Sequence, residues 1–205
     1  MSEFDSLCQR LRQRLRAAIC SPPVEEERRQ AAVALVLRRH LDAAELLIIK
    51  RAVSQRDHWS GHLALPGGRQ QPEDPDLCST ARRETLEEVG IDLLASGGEV
   101  LGALETVSPQ SPLAPRVIVT PFVAVAPLEY HIAAPGAKSP ALSLNHEVAV
   151  AFWVPVSGLK ERGRSAIFRL VVAGREREWP AYPTEQGLVW GLTERILTSF
   201  LAVID

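Results

Sequence analysis

Cysteine, methionine and aromatic residues are scarce in this chain of 205 residues, which carries 3 Cys, 1 Met and 5% Phe, Trp and Tyr. The cysteines (Cys8, Cys20, Cys78) are odd in number and show no CxxC spacing. That argues against a disulfide framework or a cysteine-based zinc site, and it fits a reducing compartment, with the cytoplasm as the expected location. No apolar run approaches the roughly 18 residues that a membrane-spanning helix needs. The N-terminal MSEFDSLCQRLRQRLR has no apolar signal core, so export by a standard signal is not expected. A net charge of −2 supports neither a nucleic-acid partner nor an acidic membrane surface. What is present, 46% hydrophobic and 23% charged residues, suits one globular domain with decorations.

Residues 4–18 place Phe4, Leu7, Leu11 and Leu15 at helical spacing, with arginines on the other side. This reads as an amphipathic helix packed on the domain with a solvated basic face. A Pro-containing polar connector follows, so residues 1–29 form an extension and residues 30–205 the main domain. AAVALVLRR (31–39) and ELLIIKRA (45–52) are short apolar runs split by a polar turn, the pattern of two buried strands. The segment VSQRDHWSGHLALPGGRQQPEDPD has no periodicity, and loops of that length are often functional. Further strands are expected in VLGALETVS, RVIVTPFVAVAP and VAVAFWVPV, and a hairpin in IFRLVVAG and REREWPAY. GLVWGLTERILTSFLAVI (187–204) has Leu188, Leu192, Ile196, Leu197 and Leu201 at helical spacing and reads as a C-terminal helix. Strands interleaved with helices make the fold class α/β.

Between them lies a helix expected from Asp76 or Leu77 to Val89, stopped by Gly90. It contains RRETLEEVG. At about 100° per residue, Glu84, Glu87 and Glu88 share a face, while Cys78, Thr85, Leu86 and Val89 fall broadly opposite and can pack on a sheet. Like charges at this spacing repel by a few tenths of a kcal/mol per pair. Two readings are open: a solvated surface that tolerates the cost, or a site for a hard cation held by oxygen ligands. LPGGR (65–69) tilts the balance. Its two glycines allow a sharp bend and close approach, so a Gly carbonyl there can join the carboxylates on a metal. Arg83 can orient a neighbouring carboxylate.

GG-R-QQPED-PDLCSTA-RRETLEEVGI resembles the Nudix box, GX5EX7REUXEEXGU with U apolar. Gly68 matches the opening glycine, and Arg83, Glu84, Glu87, Glu88, Gly90 and Ile91 match the helical half. Asp74 stands in for the loop glutamate, Thr85 occupies an apolar position, and one extra residue separates Asp74 from Arg83. That extra residue is similar to the spacing of the coenzyme A pyrophosphatase branch, whose segment before the turn has the form LLTxR(S/A)x3Rx3Gx3FPGG. LIIKRAVSQRDHWSGHLALPGG is similar at Arg51, Ala52, Arg56, Gly61 and Pro66-Gly67-Gly68. It departs at Ile49, at Leu65, and by one residue inserted between Arg56 and Gly61.

The resemblance implies a Nudix-type α-β-α sandwich with a mixed central sheet, flanked by N-terminal and C-terminal helices. It also implies Mg²⁺- or Mn²⁺-dependent hydrolysis of a small-molecule diphosphate, with coenzyme A or its thioesters expected. ADP-ribose, other dinucleotides or nucleoside triphosphates are the alternatives, and a non-catalytic nucleotide-sensing module is the alternative of another class. Glu84, Glu87, Glu88 and Gly68 are the implied metal ligands. Glu84, Glu87, Arg83 and Glu147 are the implied catalytic groups, with Glu147 as a loop candidate for general base and Glu105 a weaker one. Arg51, Arg56, Trp59 and Gly67 are the implied substrate contacts. For the two arginines the other reading is an ion pair with the acidic loop, and for Trp59 a loop anchor. Both terminal helices offer surfaces for a homodimer.

Overall fold

The computed structural model describes residues 2–16, 29–54, 60–109, 117–172 and 174–205. Arg56 and Trp59 therefore lie outside the described residues.

The chain enters through helix α1 (Glu3–Arg14), whose N-terminus is closed by a reciprocal box in which Ser2 and Asp5 each accept the other's backbone N–H. Strands β1 (Arg29–His40) and β2 (Ala43–Arg51) form an antiparallel pair in the register Leu37↔Leu46. Two short strands follow, β3 (Leu63–Ala64) and β4 (Gly67–Arg69), and then helix α2 (Leu77–Val89). Beyond it come β5 (Glu99–Ala103), β6 (Val117–Val125) and β7 (Val148–Pro155), then the short helix α3 (Val156–Arg162). The chain closes with β8 (Ala166–Val172), β9 (Arg175–Thr184), β10 (Gly187–Trp190) and helix α4 (Gly191–Ile204).

The main sheet has seven strands and is mixed, since β1 runs parallel to β6 and every other pair is antiparallel. Its middle parts. β1 pairs with β2 only over residues 37–40, and lower down the same edge of β1 pairs with β4 through Ala31↔Arg69 and Val33↔Gly67. β2 pairs with β3 there instead, through Ile49↔Ala64. The chain from Leu63 to Arg69 is thus wedged between the diverging strands, with the Pro66-Gly67-Gly68 turn inside the sheet.

Alternation along β1 and β2 creates two apolar layers. Leu35, Leu37, Leu46 and Ile48 face α1, α3 and α4, joining Phe4, Leu11, Leu159, Leu197 and Phe200. Ala32, Ala34, Val36, Leu47 and Ile49 face α2, against Leu77, Ala81 and Val89. Three layers, helix on sheet on helix, result. The alanines on the second face let α2 sit close to the sheet. A second sheet, in the order β10-β9-β8, stands beside β3, with Gly187 next to the Leu63 side chain.

Several expectations need correction. α1 ends at Arg14, short of residue 18; its arginine face is exposed as expected, and two of its members also reach the domain, Arg12 forking onto Glu99 at 2.9 and 2.5 Å and Arg14 donating to the Val203 carbonyl at 2.7 Å. Leu188 belongs to β10, because positive-φ Gly191 breaks the helical run there. α3 was not expected from the pattern. No helix among the described residues is long and apolar enough to cross a membrane.

Phe200 is fully buried in the layer shared by α1, α4 and the sheet. Phe200→Ala is expected to lower unfolding free energy by about 4 kcal/mol, through lost transfer energy plus a residual cavity. Urea denaturation of the two proteins checks it.

Candidate active site

Asp76 caps α2 by accepting the Ser79 N–H at 2.7 Å, and Gly90 ends it in the left-handed conformation (φ 76°). The buried stripe runs through Leu77, Thr80, Ala81, Thr85 and Glu88. This corrects the expected arrangement: Leu86 is 50% exposed, whereas Glu88 is 2% exposed. Positions 77, 81, 84/85 and 88 form one face, so Glu88 lies on the packed stripe, Glu84 at its margin and Glu87 outside. Thr85 can hold a buried position because its hydroxyl donates to the Ala81 carbonyl at 2.7 Å.

The stripe meets the wedged turn. Glu88 Oε2 accepts the Gly67 N–H at 2.9 Å. Gly67 has φ 153°, and a Cβ there would stand 2.3 Å from the Ala32 carbonyl oxygen. A Cβ on Gly68 would stand 2.4 Å from Glu84 Oε1. Only two glycines fit between β1 and α2. Burial pushes Glu88 up to about 7, with the Gly67 N–H and Arg51 opposing and the Glu84 and Glu147 charges adding. Glu84 is also raised, chiefly by burial, opposed by Arg83 and assisted by Glu87 and Glu147.

Arg83 ties the acids together. Its Nε and Nη2 donate to the two oxygens of Asp74, both at 2.9 Å. Nη1 donates to Glu84 at 2.9 Å and to Glu87 at 3.0 Å, and Nη2 also reaches the Arg69 carbonyl at 3.2 Å. Asp74 further accepts from Gln71 N–H and from the Thr80 hydroxyl, both at 2.9 Å. A carboxylate one carbon shorter than glutamate thus still reaches Arg83, with Thr80 holding it.

The loop before β7 crosses the end of α2. Ser143 N–H donates to the Val89 carbonyl at 3.1 Å, and Asn145 N–H to the Glu88 carbonyl at 3.3 Å. Asn145 Oδ1 accepts the Glu147 N–H at 2.9 Å, and the Glu147 carbonyl accepts the Ala52 N–H at 2.7 Å. Glu147 is thereby brought near enough to Glu84 and Glu88 for its charge to raise both. Arg51 lies on the same side and favours the Glu88 carboxylate. Glu105 lies past the end of β5, and its side chain pairs with Arg16 at 2.5 Å on the surface. Trp190 is buried and stacks on Phe168. Asn145 and Thr80 were missed by sequence reasoning. An Asn two residues before an acid is an Asx-turn signal that could have marked the first.

The donor set suits a hard divalent cation. Glu84, Glu87 and Glu88 supply carboxylate oxygens on or beside one face of α2, Gly68 next to Glu84 adds a backbone carbonyl, and Arg83 offsets only part of the acids' mutual repulsion. Among the described residues no three acidic, His or Cys side chains already converge as a ligand set. Glu84 and Glu87 each give an oxygen to Arg83, and Glu88 gives one to Gly67. A carboxylate has two oxygens, so each can keep that contact and still offer the other to a cation.

Folding holds Asp74 well below the usual carboxylate range, at about 2, chiefly because Arg83 donates to it. Its clamp is therefore complete above about pH 4, near the unfolded value, and is lost as pH falls through about 2. Asp74→Asn is expected to cost about 2 kcal/mol at pH 7, with the gap from the parent protein narrowing below pH 4. Urea titrations at pH 7, 4 and 2.5 check this, and an undiminished gap at pH 2.5 would assign the effect to packing.

The profile of the NUDIX domain matches residues 27–172. The chain is 32% identical over 155 residues to an uncharacterized Nudix hydrolase, NudL, of Photorhabdus laumondii, covering 74% of this chain and 73% of that protein. The NudL of Yersinia pestis is 33% identical over 152 residues, with 74% and 68% covered. An uncharacterized Schizosaccharomyces pombe protein is 37% identical over 117 residues, which are 56% of this chain and 32% of that longer protein. Among solved structures, a MutT/nudix family protein from Enterococcus faecalis superposes with a TM-score of 0.57 at 18% identity, covering 100% of this chain and 75% of that one. The wedged Gly-Gly turn and the carboxylate helix both fall inside the matched span, and the chain belongs to the Nudix hydrolase family.

Proposed function

We propose that the protein hydrolyses a diphosphate bond in a nucleotide-linked substrate, with coenzyme A or an acyl-coenzyme A as that substrate. The observation that carries this is buried Glu88 and half-buried Glu84 pressed against the Gly67-Gly68 turn, with Glu87 outside and Glu147 alongside. Nudix hydrolases generally use divalent metal ions, and Mg²⁺ or Mn²⁺ is the group proposed here. When bound, such an ion neutralises diphosphate charge and lowers the pKa of an attacking water.

The chain's own residues do the rest. Glu84, Glu87, Glu88 and the Gly68 carbonyl provide the oxygen donors. Arg83 keeps Glu84 and Glu87 from splaying apart, and Asp74 keeps Arg83 in place. Glu147 is the proposed general base: it accepts a proton from the water as the new P–O bond forms and the bridging P–O bond breaks. Arg51, at the end of β2, is proposed to face the substrate's charge, and Arg56, outside the described residues, is proposed to share that role. Coenzyme A would yield 4′-phosphopantetheine and adenosine 3′,5′-bisphosphate, and a thioester the acylated phosphopantetheine. The segment from Leu47 through Gly68, similar to the coenzyme A branch, supports this substrate over ADP-ribose and nucleoside triphosphates.

Purified protein with Mg²⁺ or Mn²⁺ should cleave coenzyme A with a higher kcat/KM than ADP-ribose or ATP, and product analysis identifies the bond. Failure on every diphosphate in such a panel sinks the enzymatic reading in favour of a nucleotide-sensing module. Preference for ADP-ribose or ATP replaces only the substrate. Glu147→Gln should lower kcat by about 100-fold or more with KM little changed. Unchanged turnover removes Glu147 from the reaction.

A further inference from the structure

Glu147 stands at the end of a strap, residues 139–147, that crosses the α2 side of the sheet. Its far end is anchored where Ser139 Oγ accepts from Arg38 Nη1 at 3.0 Å. Arg38 is itself buried and forks onto Glu45 through Nε and Nη2, both at 2.7 Å. Leu142 packs into the apolar layer under α2. A Cβ on Gly90 would stand 2.8 Å from the Ser143 Cβ, so the glycine that ends α2 also lets the strap lie against it.

The strap closes in a turn over residues 145–148. Val148 N–H donates to the Asn145 carbonyl at 3.3 Å, and Glu147 N–H donates to Asn145 Oδ1 at 2.9 Å, an Asx-turn inside a β-turn. Asn145 N–H in turn donates to the Glu88 carbonyl at 3.3 Å. Two hydrogen bonds therefore lead from the backbone of Glu88 to the backbone of Glu147, and half-buried Asn145 takes part in both. Glu147 is exposed, and its side chain has no hydrogen bond or ion pair among the described residues. Its backbone is what aims it.

We propose that Asn145 is a positioning residue for the reaction, whose side-chain oxygen fixes the backbone of Glu147 relative to Glu88 and so holds the base at the donor cluster. Proton transfer needs the base within hydrogen-bond reach, and a displacement of about 1 Å is enough to slow it. An aspartate would accept the same N–H, but it would add a charge beside Glu84, Glu88 and Glu147, whose charges already oppose one another. The neutral amide makes the turn without that cost. The inference deepens the functional reading above and rests on Glu147 as its base.

The test is a double-mutant cycle between positions 145 and 147, read in turnover, together with exchange of the Glu147 amide. N145A lacks the acceptor and N145Q carries it one carbon too far out, so each should lower kcat by about tenfold or more with KM little changed. N145S, whose hydroxyl can accept the same N–H, should recover most of the loss. In the E147Q background N145A should lower kcat by less than about twofold further, because a residue acting only through Glu147 has nothing left to position. The bonds made by the Asn145 backbone survive in all three variants, and having two that lose the acceptor guards against one that fails to fold. Unchanged kcat in N145A and N145Q overturns the inference, as does an equal loss with and without Glu147. Full turnover in E147Q removes the base and takes the inference with it. If the parent protein cleaves no diphosphate, the functional reading fails by itself and amide exchange measured by NMR judges the turn. Protection of the Glu147 N–H should fall in N145A and N145Q and persist in N145S; protection that does not fall overturns the positioning.

Discussion

The Arg83 guanidinium reaches Asp74 through two parallel bonds, and Glu84, Glu87 and the Arg69 carbonyl through the rest of its fork. Three carboxylates that would repel one another are held by a single cation. Asp74 keeps its charge far into acid because of it, and Glu84, which burial raises, is pulled back by it. The same contacts fasten residues 69–76 to the helix, so the loop and the carboxylates move as one body. A lysine, with its compact point charge, could not span these four partners in the same plane. Helix α2 can therefore carry its acidic cluster without losing its place on the sheet.

The sheet supplies the other half of the site. Because β1 and β2 diverge below Leu37 and Leu46, the Gly67-Gly68 turn enters between them and presents its backbone to α2. The Gly67 N–H bonds Glu88, while the carboxyl of Glu84 occupies the space a Gly68 side chain would need. Burial and like charge leave Glu88 raised to about 7, poised between protonated and charged forms at neutral pH. The loop carrying Glu147 is secured to the end of the same helix through Ser143 and Asn145. Turn, helix and loop thus converge on one small volume from three separate parts of the chain.

Much of this could be read from residue order. The apolar runs of β1, β2, β6 and β7, the limits of α2, and the meeting of a Gly-Gly turn with clustered glutamates all have local causes. The failures have tertiary ones. Helical spacing grouped the three glutamates on one face but could not tell that α2 would roll toward β4, burying Glu88 and exposing Leu86. β3 and β4 are too short for any periodic signal, and they exist because the parted strands offer them edges. Leu188 fits a helical stripe as well as a strand until Gly191 interrupts it. The ties from Asn145 and Ser143 to α2 span more than fifty residues, and nothing local encodes them. Arg56 and Trp59 lie outside the described residues.

In the proposed function, a divalent cation takes the place that burial and repulsion make costly for carboxylates alone. The direct measurement is Mn²⁺ binding by electron paramagnetic resonance as a function of pH. If Glu88 is a ligand, the ion must displace its proton, so affinity should climb from pH 5.5 and level off just above about 7, the value that burial imposes on Glu88. In Glu88→Gln binding should be weaker and the climb should flatten. Affinity that ignores pH over that range, or that survives Glu88→Gln unchanged, would contradict the account.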